Sequence, residues 1–200
     1  MKKSVTCITA TLLVLFVFSG CSKETAGSKS SPADDFGINN DAITNMLFNY
    51  AARSFVQGEI SENDLSLILD CGVQAPSARN GQPWHFTVLR DNAIANRIIP
   101  DIPDGNILII VSGKGNSSSV FFDCALATEN MYLAAQALGL GSRIYTGPIS
   151  AINANFKDTL EIPAGFDAIS LVRIGHIESN QDGMSTASPR LEAESIINYK

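Results

Sequence analysis

Catalytic hardware is scarce in this chain of 200 residues. It has two histidines, His85 and His176, and neither has an evident partner along the sequence. No HExxH, no GxSxG and no GxGxxG following a strand occurs, so the usual metalloprotease, serine hydrolase and dinucleotide-fold signatures are missing. The four cysteines show no CxxC or Cys/His spacing of a zinc site. Positive charge is also thin. The formal net charge is −6, with no basic stripe, which removes the phosphate-neutralising term that drives nucleic-acid binding.

What is present begins with an export signal. Lys2 and Lys3 precede an apolar run from Val5 to Phe18, closed by Ser19-Gly20-Cys21. A membrane span needs roughly twenty apolar residues, so the run is short for a permanent anchor. Charged start, apolar middle and small-residue exit describe a secretory signal. Phe18-Ser19-Gly20-Cys21 resembles a bacterial lipobox, which implies cleavage before Cys21, acylation of that cysteine and attachment to the outer face of the cell membrane or to an outer membrane. Losing Lys2 and Lys3 with the signal takes the net charge from −6 to −8. The expected organisation is a signal peptide over 1–20, a disordered tether over 21–40 and one domain over 41–200. Ser, Lys, Thr, Gly, Pro and Asp dominate the tether, which buries too little apolar surface to offset its chain entropy. Cys7 leaves with the signal; Cys71 and Cys124 are expected free, each on an apolar helix face.

Along the domain, Asn40-Asp41 predicts a capped helix running to about Arg53, with Ile43, Leu47 and Tyr50 on one face. Ser61-Glu62-Asn63-Asp64 resembles a capping box opening a second helix that ends at Ala75-Pro76. A strand is expected over Trp84–Arg90 and a short helix over Asn92–Ile98. Ile107–Val111 is a continuous apolar run bounded by glycine, the mark of a buried strand. Gly113–Ser119 is expected as a loop, and Phe122–Leu138 as a helix apolar nearly all round, suited to a central or interface position. Arg143–Tyr145 and Ala168–Ile174 are expected strands, with Ile149–Leu160 a helix between them. Interleaved helices and strands without repeats predict an α+β layered domain.

The most distinctive segment is Ala75-Pro76-Ser77-Ala78-Arg79-Asn80-Gly81-Gln82-Pro83-Trp84-His85-Phe86. Two prolines fix φ, and Ser77, Asn80 and Gln82 offer donors and acceptors on a rigid turn. On residue types alone it reads equally as a binding loop or a capped helix-to-strand turn. The segment resembles the A-P-S-x-x-N-x-Q-P-W-x-F signature of the nitroreductase-like flavoproteins. Further matches fall in the family's order. They are Arg53-Ser54-Phe55, Ile60-Ser61 to Leu69, Ala134-Ala135-Gln136-Ala137-Leu138-Gly139-Leu140-Gly141-Ser142, Ile174-Gly175, and Ser188-Pro189-Arg190 ahead of Ile196-Ile197. Together they span about Asp41 to Tyr199.

That resemblance implies a central mixed or antiparallel sheet flanked by helices, in an intertwined homodimer binding FMN at the subunit interface. It implies hydride or electron transfer from NAD(P)H or another donor, through the flavin, to a small acceptor such as a nitroaromatic or quinone. By position, Arg53 and Arg190 would hold the FMN phosphate, for which a guanidinium fork is suited. Pro76, Ser77, Asn80 and Gln82 would line the ribityl chain and ring, partly across the dimer, and Thr146-Gly147 would lie near flavin N5. No protein residue is expected to act as the catalytic acid, because the cofactor carries the chemistry. Departures are visible. Asn49-Tyr50-Ala51-Ala52 stands where the family has a basic residue and a serine, Ser188 replaces a lysine, and the loop before Phe122 is short. Two other readings accompany the first: a flavin-binding surface lipoprotein without turnover, and a related flavin-fragmenting or dehalogenating enzyme.

Overall fold

Two strands organise the molecule: β3, Ile107–Lys114, and β5, Phe166–Ile177. Both are long apolar runs because both of their faces are covered. The computed structural model describes residues 40–178 and 190–200. The expected signal peptide, Cys21 and nearly all the tether lie outside those residues, as does Ser188. Among the described residues no helix is long and apolar enough to cross a membrane.

The remaining strands are β1 (Phe55–Val56), β2 (Trp84–Leu89) and β4 (Gly141–Tyr145). β5 pairs with β3 on one side and with both β4 and β1 on the other, while β2 closes the far edge on β3. Every pairing is antiparallel. The sheet is thus antiparallel rather than mixed, and the α+β layered class holds.

Five helices cover its faces: α1 (Asp41–Phe48), α2 (Glu62–Val73), α3 (Asn92–Ile98), α4 (Ser118–Ala137) and α5 (Ile149–Asn155). Alternation along the strands divides the core in two. Ile107, Ile109, Val111, Val172 and Ile174 meet α2 and α4 through Ile68, Met131 and Ala135. Leu108, Ile110 and Leu171 meet α3 and α5 through Ala95 and Ile152. Ser61 caps α2 as expected, its Oγ accepting from Asp64 N at 3.0 Å.

Four expectations need correction. α1 stops at Phe48, not near Arg53, and none of its residues is buried. Asn40 caps its start, but Asn49 is extended and the chain after it is bonded to α4 and β4, so tertiary contacts displace helical ones. Cys71 is exposed, because the buried stripe of α2 runs through Leu65, Ile68 and Gly72; Cys124 is buried as expected. Gly113 and Lys114 extend β3 and Ser118 begins α4, which leaves only Gly115–Ser117 as the loop, and α5 ends at Asn155 instead of Leu160.

Candidate functional site

The loop between α2 and β2 is held in one shape by its own atoms. A short 3-10 turn, Ala78–Asn80, carries left-handed φ values at Arg79 and Asn80, and Gln82 is left-handed as well. Asparagine tolerates that region better than most side chains. The Ser77 hydroxyl accepts from Gln82 N at 3.0 Å, and Gln82 Nε2 donates to Asn80 Oδ1 at 3.1 Å. The loop then joins the sheet, where Lys114 N donates to the Pro83 carbonyl.

A residue without a sequence motif anchors it. Asp123 on α4 is 4% exposed, and its two carboxylate oxygens accept from Ala78 N at 3.1 and 3.2 Å. A buried carboxylate costs free energy unless it is hydrogen-bonded. Its placement beneath this turn gives the backbone a charged acceptor. The only sequence signal was an acid in a largely apolar stretch of that helix. Pro76, Asn80 and Gln82 remain exposed and Ser77 half-buried. The loop therefore presents amide groups from a fixed backbone.

A second cluster forms where α4 ends. The strap from Asn49 to Ser54 is tied to α4 and β4. Tyr132 donates its hydroxyl to Asn49 Oδ1, Tyr50 N donates to Gln136 Oε1 at 3.2 Å, and Gln136 Nε2 donates to the Tyr50 carbonyl at 3.0 Å. Ala52 N donates to the Ser142 carbonyl on β4. Arg53 follows and is exposed. Burial raises the Tyr132 phenol above its ordinary pKa; its contact with Gln136 opposes the rise, nearby Glu129 adds to it, and the positive charge of Arg190 opposes it. The charge of Arg190 is thus felt at Tyr132, the residue that bonds the strap carrying Arg53.

These clusters lie at opposite ends of the sheet. The loop enters at Trp84, which is in register with Gly113 and, through it, with Asp167 of β5. The strap enters beside Gly141, in register with Gly175. At ~3.3 Å per residue, the stretch of β5 between Asp167 and Gly175 is roughly 25 Å long. Thr146 and Gly147 are exposed, just beyond Tyr145, where β4 points toward the loop end. A Cβ built on Gly147 would meet nothing within 4 Å, so the backbone there is open to an approaching ligand. The strap carrying Arg53 thus lies at one end of the sheet, whereas Pro76, Ser77, Asn80 and Gln82 gather at the other.

A sequence profile described as the nitroreductase family matches residues 50–107 and 101–176. A protein of Archaeoglobus fulgidus, named a candidate NADH dehydrogenase/NAD(P)H nitroreductase, is 32% identical over 143 residues, covering 65% of this chain and 82% of that protein. The chain belongs to the nitroreductase family. Among solved structures, a nitroreductase with bound FMN from Bacteroides fragilis shares the fold at TM-score 0.66 and 21% identity, over 80% of this chain and 100% of that one. A candidate nitroreductase in complex with FMN from Desulfovibrio desulfuricans gives TM-score 0.69 and 23% identity, over 82% of this chain and 99% of that one. At such identities these two establish the shared fold alone.

Membership in the nitroreductase family makes this chain an oxidoreductase and gives a context for the two clusters. Guanidinium groups at the strap corner suit a phosphate, and amides on a rigid loop suit the heteroatoms of a planar ring system. The donor set present fits a flavin nucleotide. Three contributors carried no motif of their own: Asp123, Tyr132 and Gln136. Each became evident only through contacts more than forty residues away in sequence.

Proposed function

We propose that this chain is an FMN-dependent oxidoreductase acting as a homodimer, in which the arginine corner of one copy faces the polar loop of the other. One observation carries the proposal: the strap carrying Arg53 lies at one end of the sheet, beside the Tyr132 that feels the charge of Arg190, and the preformed Pro76–Gln82 loop lies at the other. Two copies related by a two-fold axis can bring unlike ends together, and the interface is then self-complementary. Exposed apolar side chains favour such pairing. Leu191, Ile196, Ile197 and Tyr199 stand out on the C-terminal segment. A groove of about 610 Å³ opens between α1, α2 and α4, lined in part by Met46, Leu67, Leu133 and Ala134.

In that arrangement Arg53 and Arg190 hold the phosphate, and Pro76, Ser77, Asn80 and Gln82 position the ribityl chain and ring. Backbone groups of Thr146 and Gly147 meet the reactive edge. The chemistry available with FMN in place is two-electron transfer, while the residues of this chain bind, orient and exclude water. NAD(P)H, which appears in the name of the Archaeoglobus relative, is the donor to test first, with a quinone or nitroaromatic as acceptor. Export and acylation at Cys21 are part of the proposal and rest on residues 1–40 alone. They place the enzyme outside the cytoplasm and leave the physiological donor to be identified by assay.

The experiment is a titration of the detergent-solubilised full chain with FMN, followed by anaerobic NAD(P)H. A flavin absorption band near ~450 nm that bleaches with donor and returns with acceptor supports the enzyme. Colourless protein that refuses added FMN refutes the flavin site. Bound FMN that no donor reduces supports a binding protein without turnover. One feature favours that second reading: Asn49, where a basic residue is expected, is engaged by Tyr132 and brings no charge to the corner.

A further inference from the structure

The strap from Asn49 to Ser54 has no regular secondary structure, yet it must hold Arg53 still. The backbone groups of Tyr50, at its centre, are satisfied by one side chain. Gln136, on the last turn of α4, uses both ends of its amide on a single residue. Its Oε1 accepts from Tyr50 N at 3.2 Å and its Nε2 donates to the Tyr50 carbonyl at 3.0 Å. The same Nε2 donates to Ser142 Oγ at 2.9 Å, and that hydroxyl donates to the Tyr132 carbonyl at 2.8 Å. Ser142 is fully buried and its own carbonyl takes Ala52 N at 2.9 Å. Tyr132 reaches Asn49 through its hydroxyl. Residues 49, 50 and 52 are therefore fixed by α4 and β4, and Arg53 is next in the chain.

On the far side, the buried Asn106 donates to the Val56 carbonyl at 2.9 Å and accepts from Arg173, whose guanidinium lies 4.0 Å from the Phe55 ring. The strap is pinned on both sides of Arg53. The chemistry of the pin differs between them: an aromatic and a strand pairing follow Arg53, whereas a neutral amide in α4 precedes it.

We infer that Gln136 is a positioning residue for the phosphate arginine, acting on Arg53 through the Tyr50 peptide groups. This inference rests on the flavin reading above. An arginine holds a phosphate well only if its main chain is already ordered, because ordering it on binding would subtract from the affinity. Replacing Gln136 removes its two hydrogen bonds to the Tyr50 peptide groups, loosens the strap and lowers the effective presentation of Arg53. The loss should fall on the phosphate and leave the ring site intact.

The test compares FMN with riboflavin, which lacks the phosphate, by fluorescence titration of detergent-solubilised full-length protein. Gln136→Leu should bind FMN about tenfold more weakly, the equivalent of two lost hydrogen bonds of ordinary strength, with riboflavin affinity within about twofold of the parent. In an Arg53→Ala background the same substitution should change FMN affinity by less than about twofold. Gln136→Glu keeps the acceptor for Tyr50 N and loses the donor, so its effect should be intermediate. It also provides the measurement if the leucine variant fails to fold. Equal losses for FMN and riboflavin, or a full tenfold loss in the Arg53→Ala background, would overturn the inference and leave the flavin site standing. Parent-like FMN binding by Arg53→Ala would overturn it too. A parent protein that binds neither ligand would overturn the flavin reading, and this inference with it.

Discussion

Asp123→Ala isolates the anchoring of the polar loop. The carboxylate is 4% exposed and accepts only from Ala78 N among the hydrogen bonds of its side chain, at 3.1 and 3.2 Å. Truncation removes a hydrogen bond to a charged acceptor, worth about 1.5–3 kcal/mol, and leaves Ala78 N–H without its partner. Relief of the carboxylate's own desolvation offsets part of this, so about 2 kcal/mol of net destabilisation is expected. In a domain of this size that corresponds to a fall in Tm of about 4–8 °C. Asp123→Asn keeps an amide oxygen for Ala78 N and should lose about 1 kcal/mol or less. The assay is thermal unfolding followed by circular dichroism, paired with riboflavin titration to report on the loop separately from the phosphate corner. An alanine variant that melts within a degree of the parent and binds riboflavin equally well would refute the claim that Asp123 sets the loop.

Three further outcomes follow from particular contacts. Burial pushes the Cys124 thiol up to about 11, whereas Cys71 is exposed. Of these two thiols, Cys71 should therefore react fast at pH 8 and Cys124 only on unfolding, because the Cys124 thiolate is populated at about one part in a thousand there. Gly72→Ala would set a Cβ 2.8 Å from Met131 Cγ and 3.2 Å from the Phe86 ring. The gain in helix propensity should be outweighed by overpacking, with a net loss near 1 kcal/mol in urea unfolding. Deleting residues 191–200 removes the exposed Leu191, Ile196, Ile197 and Tyr199 and should halve the mass measured by light scattering. A deletion protein of unchanged mass would show that the tail does not hold two copies together.

The parts legible in the sequence were those with local causes. Ser61 and Asn40 announced helix starts through a side chain and a backbone three residues on, and both caps form. β3 and β5 announced themselves as continuous apolar runs because they are covered on both faces. The 75–86 segment was legible by resemblance, and its prolines and left-handed asparagine are the features that fix its shape. Misread boundaries were those decided at long range. α1 was extended to Arg53 because Tyr50 continues the helical spacing of Ile43 and Leu47, yet the Tyr50 backbone is claimed by Gln136, far along the chain. The C-terminal half of the expected Ile149–Leu160 helix gives way after Asn155, where Phe156 and Leu160 turn into the core.

The same distinction separates the two halves of the site. Asn80 and Gln82 meet their partners within five residues, so residue types in one short window specify much of the loop, with Asp123 as its distant anchor. Arg53 sits on a strap with long-range ties: Tyr132, Gln136 and Ser142 on one side, Asn106 and Arg173 on the other. Polar ties of this kind leave no periodicity, since each joins single groups far apart in the chain. They are also where this chain departs from the family pattern, with Asn49 drawn into the scaffold by Tyr132 instead of serving as a cation. The consequence is physical. On the proposed reading, with one positive charge fewer than the family pattern, phosphate affinity depends more heavily on how well Arg53 and Arg190 are held. A neutral amide at position 136 then does by geometry part of what a third cation would do by charge, so the FMN affinity of this protein should be less sensitive to salt than a three-cation corner would make it.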